Sequence, residues 1–113
     1  MHNAANRETL AIQKAIEIIH QNYAEDIGLE SVAAQVYLSS CYFSYLFKKT
    51  TGVNFLKYLT TYRVERAKDL LRTTSLRIGE ICERVGYSNR SYFCQIFRNH
   101  CGMSPVQYRE MRP

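Results

Sequence analysis

Two copies of one sequence pattern occur in this chain, about fifty residues apart. Apolar residues at positions 29, 32, 33 and 36 match those at positions 78, 81, 82 and 85, at an offset of 49. One extra residue then enters the second copy, and the offset becomes 50. The residues that match at this second offset are Tyr42, Phe43, Leu46, Phe47, Lys48, Gly52 and Tyr58 with Tyr92, Phe93, Ile96, Phe97, Arg98, Gly102 and Tyr108. Agreement in apolar class, aromatic identity, charge and both glycines is not expected by chance, so one structural unit occurs twice.

The spacing of the apolar residues predicts seven helices and no strand. The apolar face of the first helix is expected to consist of Ile12, Ile16, Ile19 and Tyr23. Two short helices follow, the second from about Ser40 to Thr50, where Gly52 is placed to end it.

Capping residues predict where later helices begin. Asn54 is placed to cap a long helix between the two copies, which should end at the polar run of residues 73–75. Ser104, Pro105 and Gln107 combine a capping serine, a proline at the first helical position and a capping-box glutamine, so a last helix is expected there.

In each copy a short helix, a tight break and a second helix follow one another, which is the order of a helix-turn-helix. Ser39 and Ser88 are predicted to cap the second helices. A repeated hairpin that binds protein is the alternative, but two copies are fewer than the roughly three that a solenoid needs.

The predicted fold is therefore all-α, with two helix-turn-helix subdomains joined by a long linker helix. The first subdomain is expected over residues 9–53, the linker helix over 54–73 and the second subdomain over 74–113. Residues 1–8 are interpreted as a linker remnant or a cloning scar.

Helical rotation of about 100° per residue identifies the outward face of the second helix in each copy. With Phe43 at the centre of the buried face, Tyr45 and Lys48 turn away from the core, as Gln95 and Arg98 do in the second copy. Such a face is what a helix lying in the major groove of DNA would present. In protein–DNA contacts, short polar groups, Gln and Arg read base edges, whereas Lys, Arg and helix amino termini hold phosphates. The candidates for base contact are Ser40, Cys41, Ser44, Tyr45, Arg90, Ser91, Cys94 and Gln95. The candidates for phosphate contact are Ser39, Lys48, Lys49, Arg63, Ser88, Asn89 and Arg98.

Each candidate also has a structural interpretation. Any one of these residues could belong to an ordinary solvated helix face, and Cys41 and Cys94 could be small residues at the edge of the core. Arg63 could pair with Glu65 or Asp69 without touching DNA.

Charge is distributed unevenly along the chain. Residues 1–31 contain two basic and five acidic residues, a net charge of −3, whereas the remainder contains 13 basic and five acidic residues, a net charge of +8. Such a field attracts polyanions, either nucleic acid or an anionic membrane surface. No signal pattern opens the sequence and no apolar run approaches the roughly 20 residues that span a bilayer, so a soluble cytoplasmic protein is predicted. Of the two polyanions, nucleic acid is the expected partner, and no membrane partner is expected.

No chemistry beyond binding is indicated. The four cysteines form no Cys-x-x-Cys pair and have no histidine at zinc-ligand spacing, so free thiols are expected, and neither a metal nor another cofactor. There is no nucleophile-base pair and no phosphate-binding glycine loop, so the chain is not expected to be an enzyme.

At these residues the sequence resembles the DNA-binding domain of the AraC/XylS family of bacterial transcription regulators. In the second copy the resemblance is carried by Ile81-Cys82-Glu83-Arg84-Val85-Gly86-Tyr87-Ser88, Ser91-Tyr92-Phe93, Phe97, Gly102, Ser104-Pro105 and Tyr108-Arg109. In the first copy and the linker helix it is carried by Leu38-Ser39, Tyr42-Phe43, Leu46-Phe47-Lys48-Lys49, Gly52, Arg63, Ala67 and Leu70-Leu71.

The resemblance implies a monomeric domain whose two recognition helices enter successive major grooves, about 34 Å apart, of double-stranded DNA. It implies a transcription factor, most often an activator, that works beside RNA polymerase. It also implies a separate sensor, receiver or dimerisation domain in the full-length protein; the motifs are closest to output domains of response regulators. Tyr45 and Gln95 stand where the family often has arginine, and Cys82 stands where it usually has alanine, so base preference cannot be transferred. The alternative function is a basic helical protein-interaction module without sequence-specific DNA binding.

Overall fold

The computed structural model describes the backbone of residues 3–111 and the side chains of residues 6–111. Within that range the chain forms seven helices and no strand, which confirms the predicted all-α class. The helices are α1 (Asn3–Asn22), α2 (Leu29–Gln35), α3 (Ser40–Thr51), α4 (Phe55–Thr73), α5 (Ile78–Arg84), α6 (Arg90–Cys101) and α7 (Pro105–Glu110).

The first helix begins earlier than the sequence indicated. Residues 3–8, interpreted above as a linker remnant or scar, are helical and continuous with the rest of α1. The predicted apolar face packs on the core: Ile12 and Ile19 are buried, and Ile16 and Tyr23 are partly buried against the core cluster. The core also includes Ala15 and Ile18, which were not part of the predicted face. Tyr23 lies one residue past the end of α1 and still packs against this core.

The chain divides into two compact units, residues 1–59 and 60–113. The core of the first unit is built around Phe43, Phe47 and Phe55, whose ring centroids lie 5.6–6.0 Å apart. In the second unit Phe93 and Phe97 are fully buried, with ring centroids 6.0 Å apart.

The long helix α4 contributes residues to both units. Phe55 and Leu59, in its first part, belong to the core cluster of the first unit. Val64, Ala67 and Leu71 fall in the second unit and are buried there. The division therefore falls inside the predicted linker helix, because burial of apolar side chains assigns each part of a helix to a core.

Three of the predicted caps are present. The Tyr42 amide donates to Ser39 Oγ over 3.2 Å and the Lys57 amide donates to Asn54 Oδ1 over 2.8 Å. Ser104 and Gln107 form the expected capping box at α7.

The predicted cap at Ser88 is wrong. Asn89 caps α6, and its Oδ1 accepts a hydrogen bond of 2.8 Å from the Tyr92 amide. The extra residue of the second copy therefore lies before the cap, so that Ser39 aligns with Asn89 at the offset of 50. Ser88 lies exposed in the turn.

The turn between α2 and α3, and the turn between α5 and α6, each pass through the left-handed backbone region. In the second unit Gly86 occupies this position, with φ of 103°. In the first unit the aligned residue is Tyr37, with φ of 63° and a side chain that is 94% exposed. Glycine adopts this conformation readily, whereas tyrosine does so at an energetic cost.

Candidate nucleic-acid interface

Helix α3 presents a polar ridge on the side opposite its buried residues Phe43, Leu46 and Phe47. We define the α3 ridge as the base-contact candidates of this helix and the cation one turn further on: Ser40, Cys41, Ser44, Tyr45 and Lys48. Four of the five side chains are exposed, and Ser40 is half-buried. The predicted outward face is therefore the face that α3 exposes.

The centre of the α3 ridge is aromatic. The Tyr45 side chain is 58% exposed, and the Nζ atom of Lys49 lies 5.7 Å from its ring centroid. The ring centroids of Tyr42 and Tyr45 lie 6.2 Å apart. The Tyr42 hydroxyl donates to a carboxylate oxygen of Glu8. This hydrogen bond joins α1 to the side of the ridge, and the spacing of the apolar residues did not predict it.

Helix α6 presents the corresponding ridge in the second unit. We define the α6 ridge as Arg90, Ser91, Cys94, Gln95 and Arg98. These five residues line one open groove together with Ser104, so the structure brings the predicted residues onto one surface. Cys94 is half-buried and the other four side chains are exposed.

Exposed capping residues, Ser39 and Asn89, lie at the amino termini of α3 and α6. Ser39 and Asn89 each accept one amide hydrogen bond, from the third residue of the helix. The amides of the first two residues of an α-helix have no acceptor within the helix. Together with the helix dipole, such amides favour an anion at this end.

Arg63 of α4 lies within the second unit, where its guanidinium carbon is 5.2 Å from the ring centroid of Tyr87. Burial raises the pKa of the Tyr87 hydroxyl, and the charge and hydrogen bond of Arg63 oppose that effect. The two acidic residues considered as partners for Arg63 form ion pairs elsewhere: Glu65 with Lys68, and Asp69 with Arg66 and Arg72. Sequence patterns did not identify Tyr87 as the neighbour of Arg63. Tyr87 aligns with Leu38 of the first copy, so the repeat gave no signal for an aromatic contact at this position.

Thiols and possible metal ligands do not form a second site in the part of the chain that is described. All four cysteines are free, and no group of three or more His, Cys, Asp or Glu residues among residues 3–111 could hold a metal ion. The Cys82 thiol donates to the Tyr87 carbonyl over 3.2 Å, and burial raises the pKa of this thiol. None of the described helices is long and apolar enough to cross a bilayer.

Comparisons with known proteins agree with this geometry. A family model described as a helix-turn-helix domain matches residues 32–111. The regulatory protein PocR of Salmonella typhimurium is 38% identical over 99 residues, which are 88% of this chain and 33% of PocR.

Solved structures are similar over most of the chain. The C-terminal domain of AraT, a response regulator from Geobacillus stearothermophilus, has a TM-score of 0.88 at 40% identity, and the match covers 90% of this chain and 85% of that domain. The DNA-binding domain of the global transcriptional factor AdpA, solved in complex with a target DNA, has a TM-score of 0.84 at 29% identity. That match covers 88% of this chain and 89% of the AdpA domain.

These matches define a helix-turn-helix domain of the kind found in transcription regulators. The chain belongs to the AraC family, and it corresponds to the DNA-binding domain of those regulators. It spans less than half the length of the curated relatives it matches.

Proposed function

We propose that this chain binds a specific sequence in double-stranded DNA by inserting α3 and α6 into successive major grooves, about 34 Å apart along the duplex. The observation that carries the proposal is the pair of outward-facing ridges that align in sequence, one on the second helix of each helix-turn-helix. Each ridge presents hydrogen-bonding or small side chains, with a cation on the last of its five positions.

The composition of the ridges supports a division between base contact and phosphate contact. Arg90, Ser91, Cys94 and Gln95 on α6, and Ser40, Cys41, Ser44 and Tyr45 on α3, are short or hydrogen-bonding groups of the kind that read base edges. Lys48 and Arg98 lie one turn further along, where a helix in the groove approaches the sugar-phosphate backbone.

The remaining candidates are proposed to position the duplex. The exposed hydroxyl and amide groups of Ser39, Ser88 and Asn89 lie at or just before the helix amino termini, where phosphates bind favourably. Lys49 holds its ammonium group against the Tyr45 ring, beside the α3 ridge. Arg63 is half-buried against Tyr87, so its contact with a phosphate requires the outer edge of the guanidinium group.

The wider role is part of the same proposal. The chain serves as the output domain of a longer regulator, an activator that acts beside RNA polymerase in the cytoplasm. Its regulatory part is a sensor, receiver or dimerisation domain, and the likeness to a response-regulator domain supports a receiver. In this role the chain binds DNA without catalysing a reaction.

Salt dependence of binding tests the proposal. Each phosphate that a lysine or arginine neutralises releases counterions, so the logarithm of the association constant should fall with the logarithm of salt concentration by about 0.9 per contact. Affinity for duplexes selected from a random pool, measured by fluorescence anisotropy at several salt concentrations, gives this slope. A flat salt dependence, or tight binding to an acidic protein with only weak and sequence-blind binding to duplex, would instead favour a protein-interaction module.

Two single variants separate base contact from phosphate contact. Gln95→Ala should lower affinity for the best duplex by about 1–3 kcal/mol and relax preference at one base step. Lys48→Ala should weaken binding to selected and random duplexes alike and reduce the salt slope by about one. If both variants act identically on the two kinds of duplex, the assignment of these residues is wrong.

A further inference from the structure

The α3 and α6 ridges align residue by residue at the offset of 50, and they differ in chemistry at only two positions. At two aligned positions both helices carry a small side chain, namely Cys41 with Ser91 and Ser44 with Cys94. Lys48 and Arg98 are both cations. The two differences are Ser40 against Arg90 and Tyr45 against Gln95.

Both differences concern bidentate hydrogen bonding. An arginine can donate two hydrogen bonds to N7 and O6 of guanine, and a glutamine can bond N6 and N7 of adenine at the same time. Arg90 and Gln95 are exposed and line one groove, so both are accessible from the same side of α6. The two aligned residues on α3 cannot make such contacts, because serine and tyrosine each carry a single hydroxyl.

At its centre the α3 ridge instead offers the aromatic ring of Tyr45. Tyr45 is 58% exposed, with the Lys49 Nζ atom 5.7 Å and the Tyr42 ring centroid 6.2 Å from its own ring centroid. An aromatic ring can contact the methyl group of thymine, which distinguishes thymine from cytosine in the major groove. Ser40 is half-buried, which restricts the reach of its hydroxyl.

From this asymmetry we propose that the α6 ridge supplies most of the base discrimination, through guanine and adenine, whereas the α3 ridge supplies a weaker preference for thymine. The inference rests on the proposed function, since it divides the work between the two helices that are to enter the grooves. The preferred duplex then has one strongly specified block that contains guanine and adenine, and one weakly specified block that contains thymine.

The test compares aligned substitutions on the selected duplex and on its single-base variants. Gln95→Ala should reduce discrimination at one adenine of the strong block by about 5- to 150-fold, the range of a bidentate contact. Tyr45→Ala should reduce discrimination at one thymine of the weak block by no more than about fourfold, the contribution of one methyl group. Tyr45→Gln should create a new preference for adenine in the weak block, because it places on α3 the group that α6 carries at the aligned position.

Thermal unfolding of the three variants should match that of the unchanged chain, because both side chains are exposed. Equal losses in Gln95→Ala and Tyr45→Ala, or no new adenine preference in Tyr45→Gln, would overturn the inference. Two blocks of equal strength would also overturn it and leave the proposed function standing. Failure of any duplex to enrich, together with flat salt dependence, would instead refute the proposed function itself.

Discussion

Replacing Tyr37 by glycine should stabilise the chain, although it removes a large aromatic side chain. Among residues 3–111, Tyr37 is the one residue other than glycine whose φ is positive, at 63°. Its side chain is 94% exposed, so truncation removes almost no buried contact area. The Tyr37 amide donates to the Ala34 carbonyl over 3.1 Å, and glycine can donate the same hydrogen bond.

The expected gain follows from two opposing contributions. A side chain in the left-handed region costs about 1–2 kcal/mol, which glycine avoids. Glycine loses more backbone entropy on folding, at a cost of about 0.5–1 kcal/mol. The free energy of unfolding should therefore rise by about 0.5–1 kcal/mol, and Tm by about 2–6 °C.

Urea unfolding followed by far-UV circular dichroism measures this change. The midpoint concentration should increase while the slope m stays constant. Gly52→Ala is the matched control, because its φ is +87° and a Cβ atom there would meet nothing within 4 Å. That variant should lose about 1 kcal/mol from backbone conformation alone. If Gly52→Ala behaves in this way but Tyr37→Gly leaves the chain unchanged or less stable, the argument from strain at Tyr37 is wrong.

Two further predictions concern the second unit. Asn89→Ala should lower the free energy of unfolding by about 1 kcal/mol because it removes the cap of α6. The control variant Ser88→Ala should change it by less than about 0.5 kcal/mol. Equal losses of the two variants in urea unfolding would contradict the assignment of the cap. The pKa of the Cys82 thiol is raised above the ordinary value of 9.0, mainly by burial. Since the folded chain holds this proton more tightly than the unfolded chain, the contribution of the thiol to the free energy of unfolding is fully present below pH 9.0. This contribution is lost as pH rises further. Cys82→Ala should therefore lose less stability than the unchanged chain between pH 8 and pH 10 in urea titrations, and parallel losses would refute the role of the thiol.

The caps illustrate how far local sequence patterns reached. Ser39, Asn54 and Ser104 were correctly predicted as helix starts, because a capping side chain bonds an amide only three residues away. The prediction of Ser88 as the cap of α6 was wrong because serine and asparagine are both good caps. The choice between these adjacent residues depends on where the extra residue of the second copy lies.

The ridges illustrate the same limit at the candidate site. Their outward direction was predictable, since it depends only on helical rotation from a buried phenylalanine. Contacts with other helices and turns were not predictable: the hydrogen bond of Tyr42 with Glu8 and the contact of Arg63 with the Tyr87 ring join residues 34 and 24 positions apart in the chain. Periodicity within one helix carries no information about such contacts.

The sequence by itself determined the number of helices, their breaks, the duplication and the side chains that turn away from each core. These properties depend on interactions within a few residues of the chain, namely hydrogen bonds of the helix, caps and the apolar stripe. Only the tertiary structure decided that the division between the two units falls within α4, at Leu59 and Thr60, and that Tyr37 carries the strained turn. It also decided that Glu8 of α1 accepts a hydrogen bond from Tyr42 of α3. Each of these depends on which distant side chains are buried together, because packing, unlike helical periodicity, is a property of residues brought together from separate parts of the chain.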